Sequence, residues 1–159
     1  MVRVRKELLE RQKMPLDLVT RDIWRDRLED IAGFERYLAR QGTVVLKFFL
    51  HVSRKEQKRR FLERLDHPDK SWKFSSTDVT ERGYWRDYMA ACEDAIRATA
   101  SREAPWYVIP ADNKWFTRIV VAAAIVEAFW KLELAYPRVD DAKKKELVAA
   151  RQALMEEKK

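Results

Sequence analysis

The densest positive charge in the chain lies between Arg54 and Lys73. Eight basic side chains there, Arg54, Lys55, Lys58, Arg59, Arg60, Arg64, Lys70 and Lys73, face four acidic ones and supply +4 of a net charge of +7. At helical spacing Arg60 and Arg64 share a face, as do Arg59 and Glu63. A guanidinium pair reaching into a cleft is what a polyanion or a transferring phosphoryl group requires. The ordinary alternative is a solvated helix face whose charges pair locally. A second group, Asp112-Asn113-Lys114, falls where a short apolar run ends and helical spacing begins. In open α/β folds that is the carboxyl edge at which ligands bind, although a plain helix cap explains the same spacing. His51 and His67 are far apart with no partner pattern and read as structural or surface residues. Trp72, set between Lys70 and Lys73 in a polar stretch, could stack on a base, anchor a flap or pack locally. No metal-ligand spacing is visible, and no Ser/His/Asp arrangement can be written.

Composition narrows the classes further. A chain of 159 residues with 47% hydrophobic residues fits one domain with a real core, even though 37% are charged against a globular average of about 25%. The net positive charge favours an anionic partner: nucleotide, polyphosphate, nucleic acid or an acidic membrane surface. The single cysteine, Cys92, excludes an internal disulfide and a cysteine-based zinc site and suits a reducing compartment. The first residues carry no apolar signal region. The longest apolar run, Ile119 to Val126, is far shorter than the roughly 20 residues of a membrane span, so the expected location is cytoplasmic. Glycine is the most informative count. Gly33, Gly42 and Gly83 are the only three, and no two are close, so no phosphate-cradling P-loop can be written.

The elements that must position these groups follow from the hydrophobic spacing. Pro15 breaks whatever helix Leu8-Leu9 begins. Ile23, Trp24, Leu28, Ile31, Phe34 and Leu38 recur at helical spacing until Gly42 ends the helix. Residues 43–52 form a continuous apolar run that suits a strand buried on both faces. Ser53 and Glu56 have capping-box spacing for a helix through Leu65. Residues 66–80 read as loop, and a helix is expected from about Glu81 to Ala98. Pro105 to Pro110 reads as a short strand. Trp115 to Leu134 is apolar around most of its circumference, so it is expected to be largely buried, with most tryptophans in the core. A polar helix follows Pro137. The alternation of helices and strands points to parallel βα units of an α/β sandwich. Strand 43–52 looks central, and a central strand needs neighbours on both edges.

The stretch GTVVLKFFLHVSRKEQKRRFLERLDHPDKSWKFSSTDVTERGYWRDYMAACEDAI, followed by PWYVIPADNKWFTRIVVAAAIVEA, closely resembles the C-terminal part of family-2 polyphosphate kinases. IWRDRLEDIAGFERYLARQ and VRVRKELLERQKMP fit the same family, so the resemblance covers roughly residues 2–137. It implies a partial P-loop-kinase-like α/β/α sandwich with parallel strands and predominantly helical content. It also implies Mg²⁺-dependent phosphoryl transfer between inorganic polyphosphate and nucleoside di- or monophosphates, of the ADP/GDP class. On this resemblance residues 1–137 are the C-terminal portion of the kinase domain, residues 53–85 its lid module, and residues 138–159 a polar tail. Lys58, Arg59, Arg60 and Arg64 fall on the lid's basic helix, and Lys70 and Lys73 on its loop. Arg60 and Arg64 are the implied catalytic pair, neutralising the transferring group; the other four bind the phosphate chain. Asp112 and Lys114 are nucleotide-side candidates.

The family's Walker A and Walker B segments precede these stretches and do not occur here. The sequence therefore reads as a truncated kinase, with the Mg²⁺ ligands outside it and little activity expected from it alone. A sheet short of strands, whose missing neighbours another chain could supply, also fits a homo-oligomer. The competing reading is a non-catalytic polyanion-binding or subunit-association fragment. Nucleic-acid binding would explain the charge, but no recognisable motif supports it and acidic residues are interleaved throughout. Neither nucleic acid nor a membrane is an expected partner.

Overall fold

The computed structural model describes residues 3–72 and 74–157, and the chain divides into two compact units after Ile125. The elements are α1 (Glu7–Glu10), α2 (Ile23–Arg40), β1 (Lys47–His51), α3 (Arg54–Asp66), α4 (Pro68–Ser71), α5 (Ser76–Glu81), α6 (Trp85–Thr99), β2 (Trp106–Pro110), α7 (Lys114–Lys131) and α8 (Asp141–Glu156). Single 3-10 turns occupy Leu16–Leu18 and Arg82–Tyr84.

β1 and β2 run parallel, with Lys47 opposite Trp106 and His51 opposite Pro110. Parallel strands need a long crossover rather than a hairpin, and α3 to α6 supply it. Phe48 and Tyr107, directly opposite, stack with ring centroids 5.2 Å apart. The expected α/β class with parallel strands and mostly helical content is what the chain adopts.

α2 packs against α6, and Trp24, Leu28 and Ile31 meet Tyr88, Ala91 and Ala95 around a shared groove. Its end is a Schellman motif: Gly42 sits at φ +82°, its N–H donates to Ala39 O, and the Thr43 N–H donates to Leu38 O, each at 3.0 Å. The start of β1 is fixed to both helices by Lys47. Its Nζ reaches Glu35 Oε2 of α2 at 2.6 Å and Thr99 O of α6 at 2.7 Å, and it lies 5.2 Å from the Trp106 ring centre.

Several expectations are corrected. The first strand starts at Lys47, not Thr43, because β2 begins only at Trp106 and the preceding Pro105 has no N–H to donate to a ladder. The stretch 66–80 is not simply loop. Pro68 opens α4 at a position where a missing N–H costs nothing. Ser75 and Asp78 form a true capping box that starts α5. The helix expected from Glu81 begins at Trp85, after the 3-10 turn.

α7 is the largest departure. Only Thr117 and Ala124 of this helix are buried, while Trp115 and Ile119 are about two-thirds exposed, at 66% and 60%. The described sheet has two five-residue strands, a small surface for an 18-residue helix to be buried against. Trp24, Trp85 and Trp106 are half-buried, whereas Trp72, Trp115 and Trp130 are exposed, so the tryptophans do not make up the core. Among the described residues the buried apolar ones are Ile23, Ala104, Ile109, Ala111 and Ala124.

α8 is polar and exposed, as its sequence implies. It is capped by Asp140, whose Oδ1 accepts the Lys143 N–H at 2.7 Å. No described helix is long and apolar enough to cross a membrane.

Candidate functional site

Both strands end at the same level, so the turn after β1 and the turn after β2 lie side by side. The Ala111 N–H donates to His51 O at 2.8 Å, extending the pairing by one bond beyond the strands. The Ser53 N–H donates to Asp112 Oδ1 at 2.7 Å, and Ser53 Oγ accepts the Glu56 N–H at 3.1 Å, capping α3.

Half of the capping box expected here is therefore present and half is not. Glu56 does not turn back to the Ser53 N–H. Its Oε2 accepts from Arg59 Nε, and its Oε1 from Arg59 Nη2 and Arg60 Nε, all at 2.7 Å. Two guanidiniums outbid a neutral amide for a carboxylate, because charge-assisted hydrogen bonds are about twice as strong. Asp112 offers the amide a carboxylate in exchange. Asp112 Oδ1 thus serves the N-terminus of α3.

Arg60 is the centre of the arrangement. Besides Glu56, its Nη2 donates to Ala111 O at 2.8 Å and to Asp112 O at 3.0 Å. A guanidinium has five N–H groups; these bonds use Nε and Nη2, and Nη1 takes no part in them. The side chain is 24% exposed. Helix α3 thus carries an arginine bonded both to its own Glu56 and to the turn after β2, through Nε and Nη2.

The charges agree with this geometry. Hydrogen bonds from Arg59 and then Arg60 hold the Glu56 carboxyl down at about 2. The Ser53 N–H holds Asp112 below the usual carboxylate range. Glu56 in turn raises the Arg59 guanidinium.

The other expected site residues divide. Arg59 is exposed and also pairs with Glu63 at 3.2 Å, so local ion pairing describes it well. Arg64, one turn beyond Arg60, lies over the Phe61 ring at 5.7 Å. Lys58 and Lys114 are exposed on α3 and at the start of α7. Lys73 and the side chain of Lys70 lie outside the described residues. Trp72 is 77% exposed, with its Nε1–H on Asp69 O at 3.1 Å. His51 and His67 are exposed. Of the expected site residues, the structure brings Arg60 and Asp112 together, through the Asp112 carbonyl.

Two contributors were not visible in sequence. Glu56 has only capping-box spacing with Ser53, and the position of Arg82 carries no signal of its own. Arg82 Nη1 donates to Arg54 O at 3.1 Å and to Gln57 Oε1 at 2.6 Å, tying the exit of the α3–α5 segment to its entrance. Nothing in local spacing signals a bond across 25 residues. Phe61 and Phe74, edge to face at 5.9 Å, join α3 to the segment that follows α4. Among the described residues no three His, Cys, Asp or Glu side chains converge as a metal site.

The strands and helices thus form a parallel β–α–β arrangement in which the basic helix α3 leaves the end of β1 and is bonded to the turn after β2. Residues 10–135 match the family model Polyphosphate kinase 2 (PPK2), and the chain belongs to that family. An uncharacterised protein encoded in the chlN 3′ region of Leptolyngbya boryana is 49% identical over 135 residues, which are 85% of this chain and 99% of that one. The ADP-polyphosphate phosphotransferase of Rhodopseudomonas palustris is 41% identical over 97% of this chain and 54% of its own. The AMP/ADP-polyphosphate phosphotransferase of Meiothermus ruber is 45% identical, over 81% and 48%. This chain therefore spans about half the length of these two phosphotransferases. The crystal structure of polyphosphate kinase 2 from Arthrobacter aurescens superposes with a TM-score of 0.71 at 41% identity, covering 79% of this chain and 45% of that one.

Proposed function

We propose that this chain supplies the lid and the carboxyl-terminal half of a phosphotransferase acting between inorganic polyphosphate and nucleoside di- or monophosphates. Residues 1–137 form that part of the domain, residues 53–85 the lid, and residues 138–159 a polar tail. The observation that carries this reading is Arg60, clamped to Glu56 and to the carbonyls of Ala111 and Asp112 with Nη1 left over. A clamped guanidinium loses little further freedom when it meets a phosphate oxygen, which is the condition for effective positioning. Phosphoryl transfer depends almost entirely on such positioning and on charge neutralisation. The names of the two phosphotransferase relatives support polyphosphate and an adenine nucleotide as substrates.

In this reading Arg60 and Arg64 neutralise the transferring group. Lys58, Arg59, Lys70 and Lys73 hold the phosphate chain, with Arg59 reaching it by exchanging its partners Glu56 and Glu63. Asp112 and Lys114 lie on the nucleotide side, Asp112 chiefly by shaping the turn. Mg²⁺, which the family implies, would neutralise phosphate oxygens. The described residues offer no carboxylate cluster to hold it, so none of these roles passes through the ion. A second reading, subunit association, is supported by the exposed apolar side of α7 at Trp115 and Ile119; it is compatible with a homo-oligomer.

The test is phosphoryl transfer from long-chain polyphosphate to ADP and to GDP with Mg²⁺, using this chain purified alone. The 159 residues hold no P-loop, so the expected result is at most trace turnover together with salt-sensitive retention of polyphosphate. Robust turnover abolished by Arg60→Ala would show that another phosphate cradle exists. Neither turnover nor retention would overturn the assignment of the lid.

A further inference from the structure

Near the end of the proposed lid, the neighbours Glu81 and Arg82 are held from opposite sides. Arg82 bonds to Arg54 O and Gln57 Oε1, inside the lid's own first helix. Glu81 faces the other way. Its carboxylate accepts from Arg5 Nη1 and, at 2.5 Å, from the Tyr88 hydroxyl of α6. The Arg5 guanidinium also lies 5.1 Å from the Tyr84 ring centre and donates through Nε to Glu7 Oε1 at 2.5 Å. Both Arg5 and Glu81 are mostly buried, at 23% and 29% exposed.

The segment that carries Arg5 is itself anchored. On one side of Arg5, Arg3 pairs with Asp94 of α6 at 2.5 Å. On the other, Arg27 of α2 donates to Gln12 Oε1 at 2.7 Å. Arg5 is thus a strut between a strap fixed to α2 and α6 and the point where the lid ends. Burial and the adjacent Glu81 push the Tyr88 hydroxyl up to about 12, so it stays protonated and donating at ordinary pH.

We infer that Arg5 is a positioning residue for the lid: through Glu81 it fixes the lid's exit, and through Arg82 and Gln57 it sets where α3 and Arg60 lie. The importance of Arg60 rests on the proposed function, but the strut itself does not. Without Arg5 the Glu81 carboxylate keeps only the Tyr88 hydroxyl, and the lid exit is held on one side fewer.

Amide hydrogen exchange on the free protein, with no phosphate present, tests this. Arg5→Ala is expected to speed exchange about tenfold over residues 76–84 and 54–57, with β1 and β2 unchanged. Arg5→Lys, which keeps a cation for Glu81, restores most of the protection. Glu81→Gln, close in shape and still able to accept from Tyr88, speeds exchange in the same two segments and serves if Arg5→Ala does not fold. Unchanged exchange at 76–84 overturns the inference. So does an equal rise in β1 and β2, which would make Arg5 a staple of the whole fold. A failure of polyphosphate binding leaves this result untouched, so the two proposals fail separately.

Discussion

Glu56 of α3 holds two arginines at once with one carboxylate. Its carboxyl is lowered from 4.5 to about 2 in the folded chain. The fold therefore favours the ionised form, and its contribution is complete above about pH 4.5, shrinks as pH falls, and is gone below about 2. Glu56→Gln is expected to lower thermal stability at neutral pH and to flatten its decline between pH 4.5 and 2. A variant whose acid profile matches the wild type would contradict the role of Glu56. The sequence shows Glu56 three residues after Ser53 and thus its capping-box spacing. It does not show that Arg59 and Arg60 compete for the same carboxylate, or that Asp112 of a distant turn satisfies the Ser53 N–H. Arg60 and Asp112 were legible as separate candidates for the same reason: residue type and position at an element's end are local, while their meeting depends on parallel pairing of β1 with β2.

At the scale of elements, periodicity and end signals were read correctly where the information is local. The α2 pattern and its Gly42 terminus are both in the chain, and the Schellman bonds follow from a glycine free to adopt φ +82°. Where a boundary depends on a partner, it was not legible. Residues 43–46 are as apolar as a strand, yet the ladder begins at Lys47, because Pro105 offers only a carbonyl, which accepts the Lys47 N–H at 3.0 Å. The short helices α4 and α5 were hidden in a Ser/Thr/Asp-rich stretch whose composition suits loops and helix caps equally. α7 is apolar nearly all round, and sequence alone assigns such a helix to a core. Its exposure reflects how much sheet lies against it, which no window of residues reports.

For the molecule as a whole, the tie between sheet and helices runs through Lys47. It is 11% exposed and Glu35 13%, at 2.6 Å, and Thr99 O accepts a further hydrogen bond from Lys47 Nζ. Breaking a buried pair leaves an uncompensated charge, at a cost of about 3 kcal/mol. Lys47→Ala is expected to destabilise the chain by about that amount in urea unfolding. The double variant Lys47→Met/Glu35→Leu should be more stable than Lys47→Ala, because neither charge is then stranded. A double variant no better than the single one would show that packing around Trp106, not the ion pair, accounts for the loss.

The proposed function rests on one claim, that α3 presents Arg60 ready-positioned to a phosphate chain. Calorimetric titration of long-chain polyphosphate into the wild-type chain, Arg60→Ala and Arg60→Lys, each at low and moderate salt, tests it most directly. A lost charge-assisted bond is worth about 1.5–3 kcal/mol, so Arg60→Ala should bind about tenfold more weakly or worse. Arg60→Lys should recover little, since an ammonium cannot reproduce the planar fork that grips Glu56 and two carbonyls at once. Wild-type binding should weaken with salt. Equal affinity for all three proteins would contradict the account at its centre.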